Sequence, residues 1–414
     1  MGVRPPSSGR PEAKALAPAN AAGHLPALDG VRGLAILMVL AYHFANSLLI
    51  LGLKSPILSA LTLGWCGVDV FFALSGFLIT GILLDTRASP HFFQSFYARR
   101  VLRIFPLYFT GLLATALFGV LAPSIGAPTF SGGLFAPHSL LWPALFLENL
   151  ALFLARHTHS GLLAHYWSLA VEEHFYLVWP LLVWLSKSRR QVLALALLAT
   201  VLSIAGRALV LACGIEINHV FSLTPLRLDG LGIGAAAAVI AHGGARALAP
   251  RLWAPPLIGS LALLALITAW RGALEQTDPA LWITAYPLVS LATAATIVLS
   301  LTVRPLAVAL GAGVLRWFGK YSFGLYVWHP LIGVALMHSS LAIVHAGERP
   351  AALLAKSAFI FGLDLAVCWL SFHLLEKRFL SLKRFFTPGG TRRGAVADAA
   401  LEAPVVEASG RRAP

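Results

Sequence analysis

Ten stretches of mostly apolar residues, each long enough to cross about 30 Å of hydrocarbon, constrain this chain more than any other feature. They lie at roughly 31–53, 63–85, 103–123, 168–186, 192–213, 228–245, 253–270, 281–303, 322–340 and 352–376. An eleventh stretch, 139–155, is short and holds Pro143, Glu148 and Asn149. The composition agrees: 58% of the 414 residues are hydrophobic and only 12% are charged, against about a quarter charged in a soluble domain. The fold class expected is an all-α, polytopic membrane helical bundle of about ten transmembrane helices plus one re-entrant or interfacial segment.

Loop charge sets the orientation. Basic residues cluster before the first span, at Arg87, Arg99 and Arg100, at Lys187, Arg189 and Arg190, near Arg246 and Arg251, around Arg304, Arg316 and Lys320, and after Lys377. All of these fall on one side only if 139–155 does not cross, which places both termini in the cytoplasm. Residues 1–28 carry Arg4, Arg10 and Lys14 but no apolar core, so they read as a disordered cytoplasmic tail rather than a signal peptide. A membrane domain over 29–384 follows, and then a second disordered tail over 385–414.

The formal charge of +14 could suggest nucleic acid, but the basic residues sit in short loops beside apolar segments, where they set topology. No nucleic-acid partner is expected; the lipid bilayer is. Cys66, Cys213 and Cys368 show neither metal-ligand spacing nor a disulfide framework, so no metal is expected either.

Within this greasy background a few polar strings stand out. In the first span Arg32 and His43 are eleven residues apart, so they project from one helical face roughly 16 Å apart. Ionisable groups inside lipid usually mark a functional path, although a packed histidine with an interfacial arginine explains the pair alone as well. The second span holds Asp69 and Ser75 among small and aromatic residues. Before the third, Arg100 and Arg103 share a helical face, and paired guanidinium groups at a membrane mouth suit phosphates. Snorkelling to head groups is the plainer explanation. The fourth span opens HYWSLAVEEHFYLVWP, with Glu172, Glu173 and His174 together and Tyr176 one turn beyond Glu172. A desolvated glutamate there fits a general base, and only one of the two adjacent carboxylates is expected to face the interior. Arg227 and Asp229 flank a glycine-rich helix start and suggest an intramembrane ion pair. Trp328 and His329 precede Pro330, whose missing N–H favours a lined cavity. Glu376, beside Lys377 and Arg378, reads as an interfacial carboxylate.

In this order the strings resemble the acyltransferase-3 family of integral membrane O-acyltransferases over roughly residues 25–380. The resemblance rests on Arg32 and His43, on Arg100 and Arg103, on WSLAVEEHFY, and on GVDVFFALSGFLI and SFGLYVWHP. It implies transfer of an acyl group, commonly acetyl, from cytoplasmic acyl-CoA to a hydroxyl of a carbohydrate or related acceptor such as a cell-envelope glycan. It also implies a catalytic role for His43 with Arg32 as its partner, and acyl-CoA contact by Arg100 and Arg103. Glu172 aligns with the more regular of the two glutamates. Some members append an external esterase-like domain, which is not recognisable in this sequence, so direct transfer or a separate partner is expected.

The mechanism expected places His43 as base or acyl carrier, with Glu172 assisting proton removal. Asp69, Ser75, Glu173, Arg227, Asp229, Trp328 and His329 are candidates for lining the cavity. The location expected is a bacterial inner membrane. The rival reading is a proton-coupled transporter of a small polar solute, in which the buried His, Glu and Asp form a relay; it leaves the phosphate-suited arginines without a task.

Overall fold

The computed structural model describes residues 25–121, 140–154, 163–271, 276–337 and 347–386, and these residues form helices and turns with no strand. The long helices are α1 (Pro26–Ile50), α2 (Gly67–Thr86) and α3 (Phe92–Leu121). Two short helices follow, α4 (Leu141–Ala144) and α5 (Glu148–Leu154). Then come α6 (Tyr166–Leu185), α7 (Arg189–Ala212), α8 (Leu228–Ala241), α9 (Pro250–Arg271), α10 (Pro279–Ser300), α11 (Gly313–Met337) and α12 (Pro350–Ser371). Most of the two terminal tails lies outside the described residues.

Among the described residues seven helical segments are long and apolar enough to cross a membrane: those containing α1, α2, α3, α7, α9, α10 and α12. The expected stretches that fall short are the ones built into α6, α8 and α11. The cause is polarity and length: α6 carries Glu172, Glu173 and His174, α8 is only 14 residues long, and α11 begins with Arg316 and Lys320 and contains His329. The bundle is least greasy where its unusual side chains sit.

We call the face at which α1 begins proximal and the opposite face distal. Helix α2 runs back along α1, since Gly64 lies against the Met38 carbonyl and Gly67 against that of Ala35. Helices α2, α6 and α8 run together, as Ser75 meets Glu172, Thr80 meets Trp179, and Asp85 meets His242. Two close crossings need glycine. A methyl group on Gly76 or Gly234 would occupy the space of the Leu231 or Ala73 carbonyl, and one on Gly33 or Gly319 that of Leu315 or Asp29. These pairs let α2 approach α8, and α1 approach α11, at backbone contact.

The 139–155 stretch is not one helix. α4 and α5 are four and seven residues long, too short to span, and Phe146 between them has φ of 57°. The Phe146 N–H bonds the Pro143 carbonyl and the Leu147 N–H that of Trp142, the pair of bonds that closes a helix with a left-handed residue. A phenylalanine is costly there. Its ring is stacked on Tyr108, 4.3 Å between centroids, and the Tyr108 hydroxyl donates to the Pro143 carbonyl at 2.6 Å.

Candidate active site

Five helices converge on one chamber in the proximal half of the bundle. α1 contributes Arg32, α2 Val68, Phe71, Phe72 and Ser75, and α3 Arg103 and Ile104; α6 adds Ser168, Leu169, Glu172, Glu173 and Tyr176, and α11 Ser322, Phe323 and Tyr326. Its volume is about 100 Å³. That is roughly three waters' share of liquid, at about 30 Å³ each.

Glu172 is held in it from two sides. The Ser75 hydroxyl donates to one carboxylate oxygen at 2.9 Å and the Tyr176 hydroxyl to the other at 2.9 Å. The second bond follows from the i, i+4 spacing on α6; the first is possible because α2 and α6 run side by side. Glu173 also lines the chamber, so both adjacent carboxylates face inward. Arg32 is buried and pairs with Asp29 at 3.4 Å, one turn closer to the proximal face.

Arg100 and Arg103 part company. Arg103 lines the chamber, whereas Arg100 lines a neighbouring hollow with Ser95, Phe96 and Arg99. The buried Arg100 guanidinium lies 5.8 Å from the rings of both Phe96 and Tyr176. A spacing of three residues turns the second side chain by about 60°, enough to aim the two at adjacent spaces.

His43 does not line the chamber. It is exposed, near the distal end of α1, with its ring 5.1 Å from that of Tyr42 and 5.0 Å from that of His329. His329 is buried, and its Nδ1 donates to the Leu325 carbonyl at 2.8 Å. A carbonyl only accepts, so in the neutral ring Nε2 is left as an acceptor; among the described residues it has no hydrogen-bond partner. Tyr326 lies 5.9 Å away, ring to ring, and its hydroxyl donates to the His165 carbonyl at 2.9 Å. Trp328 is partly buried and does not reach the chamber.

Asp69, Arg227 and Asp229 form a separate site. Arg227 bonds Asp69 at 2.9 Å, and Asp229 bonds Arg207 at 2.7 Å, all four buried. The ion pairs therefore join helices instead of closing between Arg227 and Asp229. The Arg227 guanidinium is ringed by Tyr286 at 4.4 Å, Phe221 at 4.9 Å, Trp167 at 5.2 Å and Phe72 at 5.6 Å. Four electron-rich rings replace part of the solvation the cation has lost.

Several residues escaped the sequence reading. Arg207 could have been sought by charge balance, because two carboxylates and one arginine inside the bundle leave a net charge of −1 that needs a cation. Ser168, Ser322 and Tyr326 carry no such signal, as hydroxyls inside helices usually bond their own backbone. Glu376 is buried within the protein, on a turn of π-helix at Phe372–Glu376, and among the described residues one of its oxygens has no hydrogen-bond partner. Such turns are frequent at functional sites. Among the described residues no group of three His, Cys, Asp or Glu side chains could hold a metal ion.

Residues 25–373 match the model of a family described as "Acyltransferase domain". Over 367 residues the chain is 28% identical to peptidoglycan O-acetyltransferase OatA of Listeria monocytogenes, covering 85% of this chain and 55% of that protein. It is 27% identical over 326 residues to YrhL of Bacillus subtilis, whose name carries the same activity, covering 74% of this chain and 48% of that protein. It is also 28% identical over 367 residues to acyltransferase MdmB of Streptomyces mycarofaciens, covering 82% of this chain and 89% of that protein. The chain thus spans about half the length of the two peptidoglycan-named relatives. No solved structure matches it.

Proposed function

We propose, on the premise that the chain belongs to the acyltransferase-3 family, that it moves an acetyl group from cytoplasmic acetyl-CoA to a hydroxyl of a cell-envelope glycan. The observation that carries this reading is the chamber in which Glu172, anchored by two hydroxyls, shares space with Arg32 and Arg103. A volume of about 100 Å³ suits a two-carbon acyl group. The names of OatA and YrhL point to peptidoglycan as the acceptor.

In this reading α6, α8 and α11 also cross, giving ten passes with both termini cytoplasmic in a bacterial inner membrane. The proximal face is then cytoplasmic, in keeping with the basic residues at its helix ends. The acyl-CoA supplies a thioester. Arg103, with Arg100 in the hollow beside it, takes the donor's anionic groups. Arg32, held by Asp29, adds a positive charge along the donor's path while the thioester end reaches inward towards His43, and Glu172 assists removal of the proton that the acceptor hydroxyl loses. His43 stands on the distal side, exposed, where an external hydroxyl can reach it. It acts there as base or acyl carrier.

The test is direct. Purified protein in proteoliposomes, given radiolabelled acetyl-CoA and soluble peptidoglycan glycan strands, should form base-labile labelled glycan. The His43→Ala variant should lose about a hundredfold or more of that rate. Full transfer by a folded His43→Ala protein would overturn the role of His43, and no transfer by the unmodified protein would overturn the function.

A further inference from the structure

The face of α1 that carries Arg32 and His43 also carries Ile36 and Leu40, one turn apart, between them. Both are buried, Ile36 at 0% and Leu40 at 2% exposure. They pack with Val68 and Phe71 of α2, Leu169 of α6 and Tyr326 of α11. Val68, Phe71, Leu169 and Tyr326 also line the chamber. On α2 and α6, which run from distal to proximal, Val68, Phe71 and Leu169 come before Ser75 and Glu172. Helix α11 runs beside α1 in the same direction, with Gly319 against Asp29 and the His329 ring near that of His43, so Tyr326 lies one turn distal to Ser322. These side chains therefore close the chamber at its distal end. Beyond them stand the rings of His329, 5.9 Å from that of Tyr326, and of His43, 5.0 Å from that of His329.

We infer that this apolar constriction is the passage through which the acyl group reaches His43, and that Phe71 is the specificity-determining residue that limits the size of that group. The inference deepens the function proposed above and rests on it. A donor entering from the proximal side leads with its acyl end, so the acyl group meets the constriction before any other part of the donor does. Once the acyl end has passed, alcohol and thioester meet at one place. At His43 the alcohol oxygen bonds to the carbonyl carbon, the C–S bond breaks, and the alcohol's proton ends on the departing sulfur.

The two rings that close the passage are held unequally. Tyr326 is buried, its hydroxyl donates to the His165 carbonyl at 2.9 Å, and it shares a second hydrogen bond with the Ser168 hydroxyl. Phe71 has no polar atom to anchor it, is only partly buried, and meets the Tyr326 ring edge to face with centroids 6.5 Å apart. Its neighbour Phe72 is buried, with the Arg227 guanidinium over its ring and Trp167 packed edge-on against it. Of these rings Phe71 is the one that can turn aside with the loss of apolar contacts alone. An apolar constriction also suits the task. It admits an uncharged acyl group and holds back water and the donor's anionic groups, which would lose their hydration there without gaining partners. Apolar sites separate substrates that differ by one methylene by about 10–200-fold, which sets the scale of the effect expected at Phe71.

Two donors compared in the full chain test this. In the proteoliposome assay with glycan strands, Phe71→Ala should raise the ratio of kcat/KM for butyryl-CoA to that for acetyl-CoA by about tenfold or more. Phe71→Leu, which keeps part of the apolar contact, should raise it by less, and it carries the test if Phe71→Ala does not fold. Both donors are read on one preparation, so the folded fraction cancels in the ratio and a merely structural role leaves it unmoved. A ratio within about twofold of the unmodified protein's in the folded variants would overturn the assignment of Phe71 and leave the acyltransferase reading standing. Loss of transfer from both donors by folded variants would overturn it too, because Phe71 would then serve the reaction and not the size of the group transferred. An unmodified protein that transfers no acetyl would fail the acyltransferase reading itself.

Discussion

Glu172→Gln should slow acyl transfer by about 10²–10⁴-fold, the range typical for loss of a positioned acid or base, while the protein stays folded. Glutamine has nearly the same shape as glutamate, and its amide oxygen can still accept from Ser75 or Tyr176. It cannot take up a proton. The carboxylate is fixed from two sides, by Ser75 on α2 and by Tyr176 on its own helix, so its orientation survives the substitution. Glu173 provides the control. It lines the same chamber one residue away, but the two hydroxyl donors go to Glu172. Glu173→Gln should therefore cost less than about tenfold. Steady-state rates of the two variants, compared at matched folded fractions, check the assignment; equal losses would mean that the chamber's total charge matters and the position does not.

The largest effect on stability is expected at the second buried cluster. Asp69→Asn removes the charge that faces Arg227 and leaves a guanidinium inside the bundle without its counter-ion. Breaking a buried pair from one side costs about 3–5 kcal/mol. The four surrounding rings soften this, since a desolvated cation–π contact contributes about 2 kcal/mol, but they already do so with the pair intact. Arg227→Met should be comparably destabilising through Asp69. The double variant Asp69→Asn with Arg227→Met should regain most of the loss, because it strands no charge. Thermal unfolding of the purified protein in detergent reads all three. Additive losses would show that the two residues contribute independently, contrary to their 2.9 Å contact.

How much of this was legible in the amino-acid order depends on the distance over which each feature is defined. The helical class and the broken stretch at 139–155 rest on local pattern, and the structure is helical with two short helices there; the candidate polar residues were also picked out by local pattern. Arg32, Ser75, Glu172 and Glu173 were named from single spans, and helix packing brings them to one chamber. The pairing of Arg227 with Asp69 joins residues 158 positions apart, and no local rule sets which helices become neighbours. Glycine decides that here. Gly76 and Gly234 bring α2 against α8, which places Asp69 beside Arg227. The separation of Arg100 from Arg103 turns on a rotation of about 60° between positions i and i+3, which a shared helical face conceals. Tyr326 was hidden for another reason: its chemistry comes from a partner hydroxyl on α6, and α11 reads on its own as an aromatic span.

The central claim is that the chamber receives the acyl donor, and equilibrium binding of radiolabelled acetyl-CoA to the purified protein measures it without any acceptor. The unmodified protein should bind saturably. Arg103→Gln should weaken that binding by about tenfold or more, the cost of one lost charge-assisted contact. Binding of equal strength in both proteins, or none in the unmodified one, would contradict the claim.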